Sequence, residues 1–594
     1  MHYRRGVKRI LALLVWLALA GTSAAAPAKV LRYALVEDAT TLDPVAISDI
    51  YSQEVAGSIF EPLYRFDYLA RPVTIRPQVA VALPEASADL REFTVRLKPG
   101  IYFADDPAFG GQRREVVAQD VVYAIQRIFD PRWKSPQYPT WVSLGLLGLE
   151  AQRQLAMDGK RPFDYAHPVE GVVALDRHTL RFRLDKPNPR FVFELTGIVA
   201  AAPVAREVVE RYGDAIGDHP VGSGPFTLAS WRRGSQIVLA RNPGYREVRY
   251  DEQPPAGEAA AAMLASRLAG RRLPMVDQVE IAVIHEDQPR WLAFLNGDFD
   301  LAGLPGTFAP VAFPGGKLAP GLARQGIQAQ RLARPDVVYT VFNMDDPVVG
   351  GYAPAQVALR RAIGLGYDNH EEIRTLRRSQ GVPAQSVVPP STYGYDAAMR
   401  SEMSLYDPAQ ANAVLDLYGF LDRDGDGWRD RPDGSPLALE YHTDKTLRPF
   451  NELWRRRMDA LRLRIGFIPG QWTEQAKAAR AGKLMMWFLS WNANAPDSED
   501  FLRLGYGPAV GGDNLSRFNL PAFNNLYDKQ AALPDGPERL AAIAEAQRLL
   551  LAYMPMKAHV HRASVTMNWP RLVGYRPHPF LRPFHAYVDI EAAP

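Results

Sequence analysis

The chain has 594 residues, 47% of them hydrophobic, 10% aromatic and 23% charged, which excludes both a single small module and a disordered chain. Cysteine is absent, so a disulfide framework, a thiol nucleophile, thiolate metal ligation and a lipid carried on an N-terminal Cys are excluded too. The formal net charge of +3 falls to −1 once Arg4, Arg5, Lys8 and Arg9 are set aside, and no argument for nucleic acid survives.

Those four cations, the apolar run over 10–20 and the small residues over 22–28 form the three regions of a secretory signal peptide, expected over 1–27. No later segment reaches the ~20 apolar residues of a spanning helix, so a soluble exported protein retained in the periplasm is expected. Alternating residues predict a strand over 30–36 and a helix over 52–60, then a strand over 93–98 stopped by Pro99-Gly100. A helix over 116–129 places Val117, Val121, Ile125 and Ile128 on one face, and a strand over 180–184 ends at Lys186-Pro-Asn-Pro189. Gly222-Ser-Gly-Pro225 reads as a tight turn feeding a strand pair, and 258–268 as a helix inside a surface insertion. Strand over 331–344, helices over 356–365, 406–417 and 538–553, and a buried-looking strand within 483–494 complete a mixed α/β chain.

Seven blocks in order resemble the extracellular solute-binding proteins of family 5, the peptide, nickel and opine type that feed ABC transporters. They are Thr41-Leu-Asp-Pro44 with Phe60-Glu-Pro-Leu63; Phe93-Thr-Val-Arg-Leu-Lys-Pro-Gly100; Ala118-Gln-Asp-Val-Val-Tyr-Ala-Ile-Gln-Arg127; Val221-Gly-Ser-Gly-Pro-Phe226; Arg241-Asn-Pro-Gly-Tyr245; Phe342-Asn343 with Leu359-Arg-Arg-Ala-Ile363; and Tyr406-Asp-Pro-Ala-Gln-Ala411 before Gly425-Asp-Gly427. The resemblance implies a two-lobed periplasmic-binding-protein fold of type II with an extra domain. Domain I would combine 28–64, 205–284 and 557–594, domain II would span 65–204, and domain III, the opposing lobe, 285–556. Short segments crossing between lobes would act as hinges. The same blocks are equally compatible with packing motifs that say nothing of a ligand.

By the same resemblance the ligand lies between the lobes as an added strand held by main-chain hydrogen bonds. The facing edges would be Ser48, Asp49, Ile50 and Tyr51 on one side and Ser490, Trp491 and Asn492 on the other, with Trp472 and Trp491 lining the cleft. Two ordinary core tryptophans are the competing reading. Where many relatives place an Asp for the α-amine of a peptide, this chain has Asn494, and Phe488 stands where some place an Arg. Losing that carboxylate removes a charge-assisted bond worth ~1.5–3 kcal/mol. Asp497, Glu499 or Asp500 would take over only if the loop folds back; otherwise blocked peptides, sugars or opine-like conjugates suit the amide.

Asp422-Arg-Asp-Gly-Asp-Gly427 copies part of a calcium loop, with a structural turn the favoured reading, and His559-Val-His561 reads as a structural pair rather than a metal site. No G-x-S-x-G elbow, H-E-x-x-H or P-loop is present. The expectation is a monomeric, cofactor-free periplasmic receptor that delivers oligopeptides or peptide-like solutes to an inner-membrane permease. A non-peptide solute is the alternative, and a secreted hydrolase using Asp497 or Asp500 a more distant one.

Overall fold

The computed structural model describes residues 28–591, so the leader expected at 1–27 lies outside the described residues. Among the described residues no helix is long and apolar enough to cross a membrane. The chain is α/β, as expected, built on a mixed sheet of twelve strands. Its spine is the thirteen-residue strand Met556–Asn568. The N-terminal half pairs with Asp336–Phe342 and Gly381–Pro383; the C-terminal half pairs with Gln328–Ala333 and Leu301–Gly303.

Beyond Leu301–Gly303 the sheet continues through Val30–Leu35, Gln278–Val283, Gln236–Arg241 and Phe226–Arg232. Val30–Leu35 alternates because one face is core: Leu31, Tyr33 and Leu35 are buried while Arg32 is exposed. On the other side of the spine, all seven residues of Asp336–Phe342 are buried, as in a strand covered on both faces. Met486–Asn492, Ala438–Thr443 and Arg464–Pro469 follow it outward. A separate four-stranded sheet, Glu85–Ala86, Glu92–Arg96, Thr179–Arg183 and Val172–Ala174, packs with the helix Ala118–Phe129. That helix buries Val121, Ile125 and Ile128 completely, and Asp120 accepts the Val117 N–H at 2.8 Å at its start.

Burial divides the molecule in two. One cluster unites Leu31, Val121, Phe182, Ile281 and Val588, so the four-stranded sheet shares a core with the first part of the large sheet. Two others, around Val337, Trp487 and Ile543 and around Phe342, Tyr441 and Trp454, draw only on residues between 337 and 558. Residues 285–333 are expected in the opposing lobe, but their strands pair with Val30–Leu35 and with the C-terminal half of the spine, on the first lobe's side. The chain first crosses at Arg334–Pro335 and returns along the spine at Arg562–Ala563. The two crossings lie side by side, with the Arg334 N–H donating to the Arg562 carbonyl at 2.7 Å. The single strand expected over 331–344 is broken here because Pro335 has no N–H to give a ladder and pushes its predecessor out of register.

Gly222 and Gly224 have negative φ, so a left-handed turn is not what requires them. A Cβ on either would lie 2.1 or 2.5 Å from the Ile59 carbonyl oxygen; close approach of two backbones excludes a side chain.

Candidate functional site

Several of the ordered sequence blocks are buried polar ties. Asp43 accepts from Arg127 through both oxygens, at 2.9 and 2.7 Å, with both side chains almost wholly buried. Glu61 accepts from Arg246, Tyr245, Ser223 and Gln78. Both carboxylates hold segments of the first lobe together and leave no free oxygen for a ligand.

The sequence candidates Ser490, Trp491 and Asn492 lie on the opposite lobe, on the strand Met486–Asn492. One edge is paired along its whole length with Asp336–Phe342. The other meets Ala438–Thr443 only at Met486 and Trp487. Among the described residues, no strand pairs with that edge from Phe488 onward, which leaves main-chain donors and acceptors beside exposed Ser490, half-buried Trp491 and exposed Asn492. The indole N–H of Trp491 is buried without a protein acceptor. Asn494 is exposed just beyond the strand.

The other sequence candidates fall less evenly. Ser48, Asp49, Ile50 and Tyr51 form no edge strand: Asp49 caps the helix Ile50–Ala56, accepting the Ser52 N–H at 2.7 Å. Ser48 and Ile50 are exposed and Tyr51 half-buried, so this segment can offer side chains and a helix start but not a ladder. Trp472 is exposed at the first turn of the helix Trp472–Arg480, its ring 6.4 Å from that of Trp487. Asp497 is withdrawn from any ligand, because Arg539 takes both carboxylate oxygens at 2.7 Å inside the lobe. The same pairing removes it as one half of a hydrolytic acid pair.

A contact between the lobes was missed entirely. Arg190, after the proline-rich turn that ends the four-stranded sheet, reaches across to the opposing lobe. Its Nε donates to Glu499 at 2.7 Å, its Nη1 to the Leu533 carbonyl at 3.1 Å and its Nη2 to the Ala531 carbonyl. The two carbonyls end the helix Pro521–Ala532, where a cation is favoured. One turn on, burial raises Glu194 to about 7, helped by the nearby charges of Asp500 and Glu499; burial and the charges of Glu499 and Asp497 raise Asp500 to about 6. No local sequence pattern announces such a pair, since the partners lie more than three hundred residues apart. Arg190→Ala is expected to favour lobe opening by ten- to a hundredfold, the ~1.5–3 kcal/mol of bonds to a charged group. Small-angle scattering of the ligand-free protein should show a larger radius of gyration; an unchanged radius would refute the assignment.

The acid-rich turn binds itself. Both oxygens of Asp422 accept backbone N–H groups, from Gly425 at 2.7 Å and Gly427 at 3.0 Å, and Asp426 pairs with Arg464 at 2.6 Å. The three exposed carboxylates stand close together, but their hydrogen bonds already account for a structural turn. His559 bridges Glu372 and Thr340, while His561 Nδ1 faces the Asp336 carbonyl at 2.7 Å, so both rings are engaged by neighbouring strands and side chains.

Comparison with known proteins then decides the family. The family model for bacterial extracellular solute-binding proteins, family 5 Middle, matches residues 74–513. The chain belongs to family 5. Among its family 5 relatives is a di/tripeptide-binding protein 2 of Pseudomonas aeruginosa, 25% identical, with 89% of this chain and 92% of the relative covered. A probable deoxycholate-binding periplasmic protein of Escherichia coli is 23% identical over 93% and 92%. The structure of a periplasmic murein tripeptide-binding protein in its unliganded open form superposes with a TM-score of 0.71 at 22% identity, covering 95% of this chain and 98% of that one. Family 5 membership makes the molecule a solute-binding protein of ABC transporters and accounts for two lobes joined by adjacent crossings.

Proposed function

We infer that the protein captures short peptides or peptide-like solutes between its lobes in the periplasm and hands the closed complex to an inner-membrane permease. The observation that carries this reading is the unpaired edge of Met486–Asn492 beyond Trp487. An extended peptide can pair there through its own backbone, while half-buried Trp491 offers apolar area to whatever side chain arrives. The relative that binds di- and tripeptides supports the same class.

A second reading is favoured by Asn494, whose neutral amide replaces a carboxylate and asks for no ligand amine. A relative whose name gives it as a probable deoxycholate-binding periplasmic protein supports this alternative. The two readings separate on the ligand that co-purifies. Denaturing extraction and mass spectrometry should release peptides, and di- and tripeptide mixtures should raise the melting temperature. Release of a non-peptide solute, with no shift from any peptide mixture, would overturn the peptide reading.

A further inference from the structure

The contact between the four-stranded sheet and the opposing lobe gathers more negative charge than it pairs. Arg190 is fixed on the first lobe: its backbone N–H donates to the Asn188 side chain at 3.0 Å, and the next residue, Phe191, is buried against Phe93 and Phe182, with ring centroids 5.0 and 5.2 Å away. Glu194 follows four residues later, at the end of the short helix Phe191–Glu194, a spacing that puts the two side chains on one face. Across the interface Glu499, which accepts from Arg190 Nε, opens the helix Glu499–Leu502, and Asp500 is its second residue. Buried Phe501 and Leu502 root that helix in its lobe, and Asp497 accepts the Glu499 N–H at 2.8 Å.

One guanidinium thus stands among three carboxylates, and it is already committed to Glu499 and to the Leu533 and Ala531 carbonyls. Glu194 and Asp500, both half-buried, form no ion pair among the described residues. Their other charged neighbours are taken: Arg503 pairs with Asp513 at 2.7 Å, Arg539 with Asp497 and Asp535, and burial keeps the Tyr527 hydroxyl protonated. Burial, then the charges of Asp500 and Glu499, raise Glu194 to about 7, and both of those charges belong to the other lobe. Asp500 is raised to about 6 by burial and by Glu499 and Asp497, against Arg503 and the Asn494 N–H, which lower it. Separating the lobes takes the two facing carboxylates away from Glu194 and admits water, so its proton affinity falls toward the ordinary carboxylate range on opening.

We propose that Glu194 is the proton-gated half of a latch between the lobes: neutral, it lets the Arg190–Glu499 tie close, and ionised, it repels Glu499 and Asp500 across the interface and loosens that tie. The proposal rests on capture between two lobes, as inferred above, but not on the ligand being a peptide. A group that holds its proton more tightly in the closed conformer than in the open one drives closure by taking the proton up. The closed conformer therefore has its full advantage at acid pH and loses it as pH rises through about 7. The receptor that results holds its solute more firmly in acid surroundings and releases it more readily in alkaline ones.

The chain has no cysteine, so spin labels can be placed through Ala151→Cys, exposed on the helix Leu149–Asp158 of the first lobe, and Ala541→Cys, exposed on the helix Pro537–Tyr553 of the opposing lobe. Pulsed dipolar spectroscopy of the full-length mature protein without ligand then reads the ratio of closed to open molecules at pH 5.5 and pH 8.5. That ratio should be at least about fivefold higher at pH 5.5, which one proton bound tenfold more tightly in the closed conformer delivers over this range. In Glu194→Gln the difference should fall below about twofold, with the closed conformer favoured at both pH values. Asp500→Asn, which removes one of the two facing charges, should shrink the difference without reversing it, and it decides the matter if Glu194→Gln fails to fold. A parent ratio that is flat or rises with pH overturns the latch, as does a response that survives Glu194→Gln or is unchanged in Asp500→Asn. Because no ligand takes part, each of these results leaves the peptide reading standing, and a non-peptide ligand found by extraction leaves the latch standing.

Discussion

Glu372→Gln is expected to destabilise the folded protein by about 3–5 kcal/mol at neutral pH, more than any surface change described above. Glu372 is fully buried at the start of the short turn Glu372–Leu376 and gathers three donors: Arg377 Nε at 2.6 Å, the Tyr367 hydroxyl at 2.8 Å and His559 Nδ1 at 3.0 Å. Burial alone would raise its pKa, but Arg377, His559 and Tyr367 together bring it down to about 2. His559, its own pKa lowered by burial, is neutral at pH 7; its Nδ1–H then donates to Glu372 and its Nε2 accepts from Thr340.

Because the folded pKa lies below the unfolded one, the contribution is complete above about pH 4.5 and disappears as pH falls toward 2. Urea titrations should therefore show the gap between parent and variant narrowing from pH 7 to pH 3. A gap that stays constant over that range would show that ionisation of Glu372 is not what the fold uses. Lys557 acts in the same direction but in another window: burial lowers it to about 7, so it costs stability as pH falls from the usual lysine range to 7 and nothing further below that. The narrowing below pH 4.5 is thus free of its influence.

Arg539→Met is expected to cost a similar 3–5 kcal/mol and also to weaken ligand binding, although Arg539 is wholly buried. Its guanidinium joins Asp497 to Asp535 at 2.7 Å and to both the carbonyl and side chain of Gln530. It also lies over the Tyr393 ring at 5.0 Å, and Tyr393 donates its N–H to the Pro496 carbonyl. The loop that carries Asn494 and leads to Asp500 is therefore held from beneath by one side chain. Losing it strands Asp497 as an uncompensated buried carboxylate. In a double-mutant cycle, adding Asp497→Asn should recover part of the lost stability while binding stays impaired. Strict additivity of the two changes would show that the pair does not position the loop.

The sequence made elements with strong local patterns legible and contacts between remote segments illegible. Alternation located Val30–Leu35, an apolar run located Met486–Asn492, and helical spacing located Ala118–Phe129 and Pro537–Tyr553, to within a few residues. The helix at Ile50–Ala56 was misplaced by two residues although its signal was present: Asp49 is three residues before Ser52, a helix-capping spacing, in a segment read as a strand edge. Pro335 likewise marked a break in a stretch read as continuous. The fate of Asp497 was not readable, since its partner lies 42 residues away, and Arg190 looks like a solvated cation until the fold brings it against the opposing lobe.

The position of the spine late in the chain has a consequence for biogenesis. Asp336–Phe342 and Leu301–Gly303 both await a neighbour that is synthesised only near the end. Until it emerges from the ribosome, each lobe presents a row of unsatisfied amide groups and neither can reach its final stability. Synthesis order thus delays completion of both halves to one late event. Until that event neither half is locked in its final form, and any truncation before Met556 removes a strand that both lobes share.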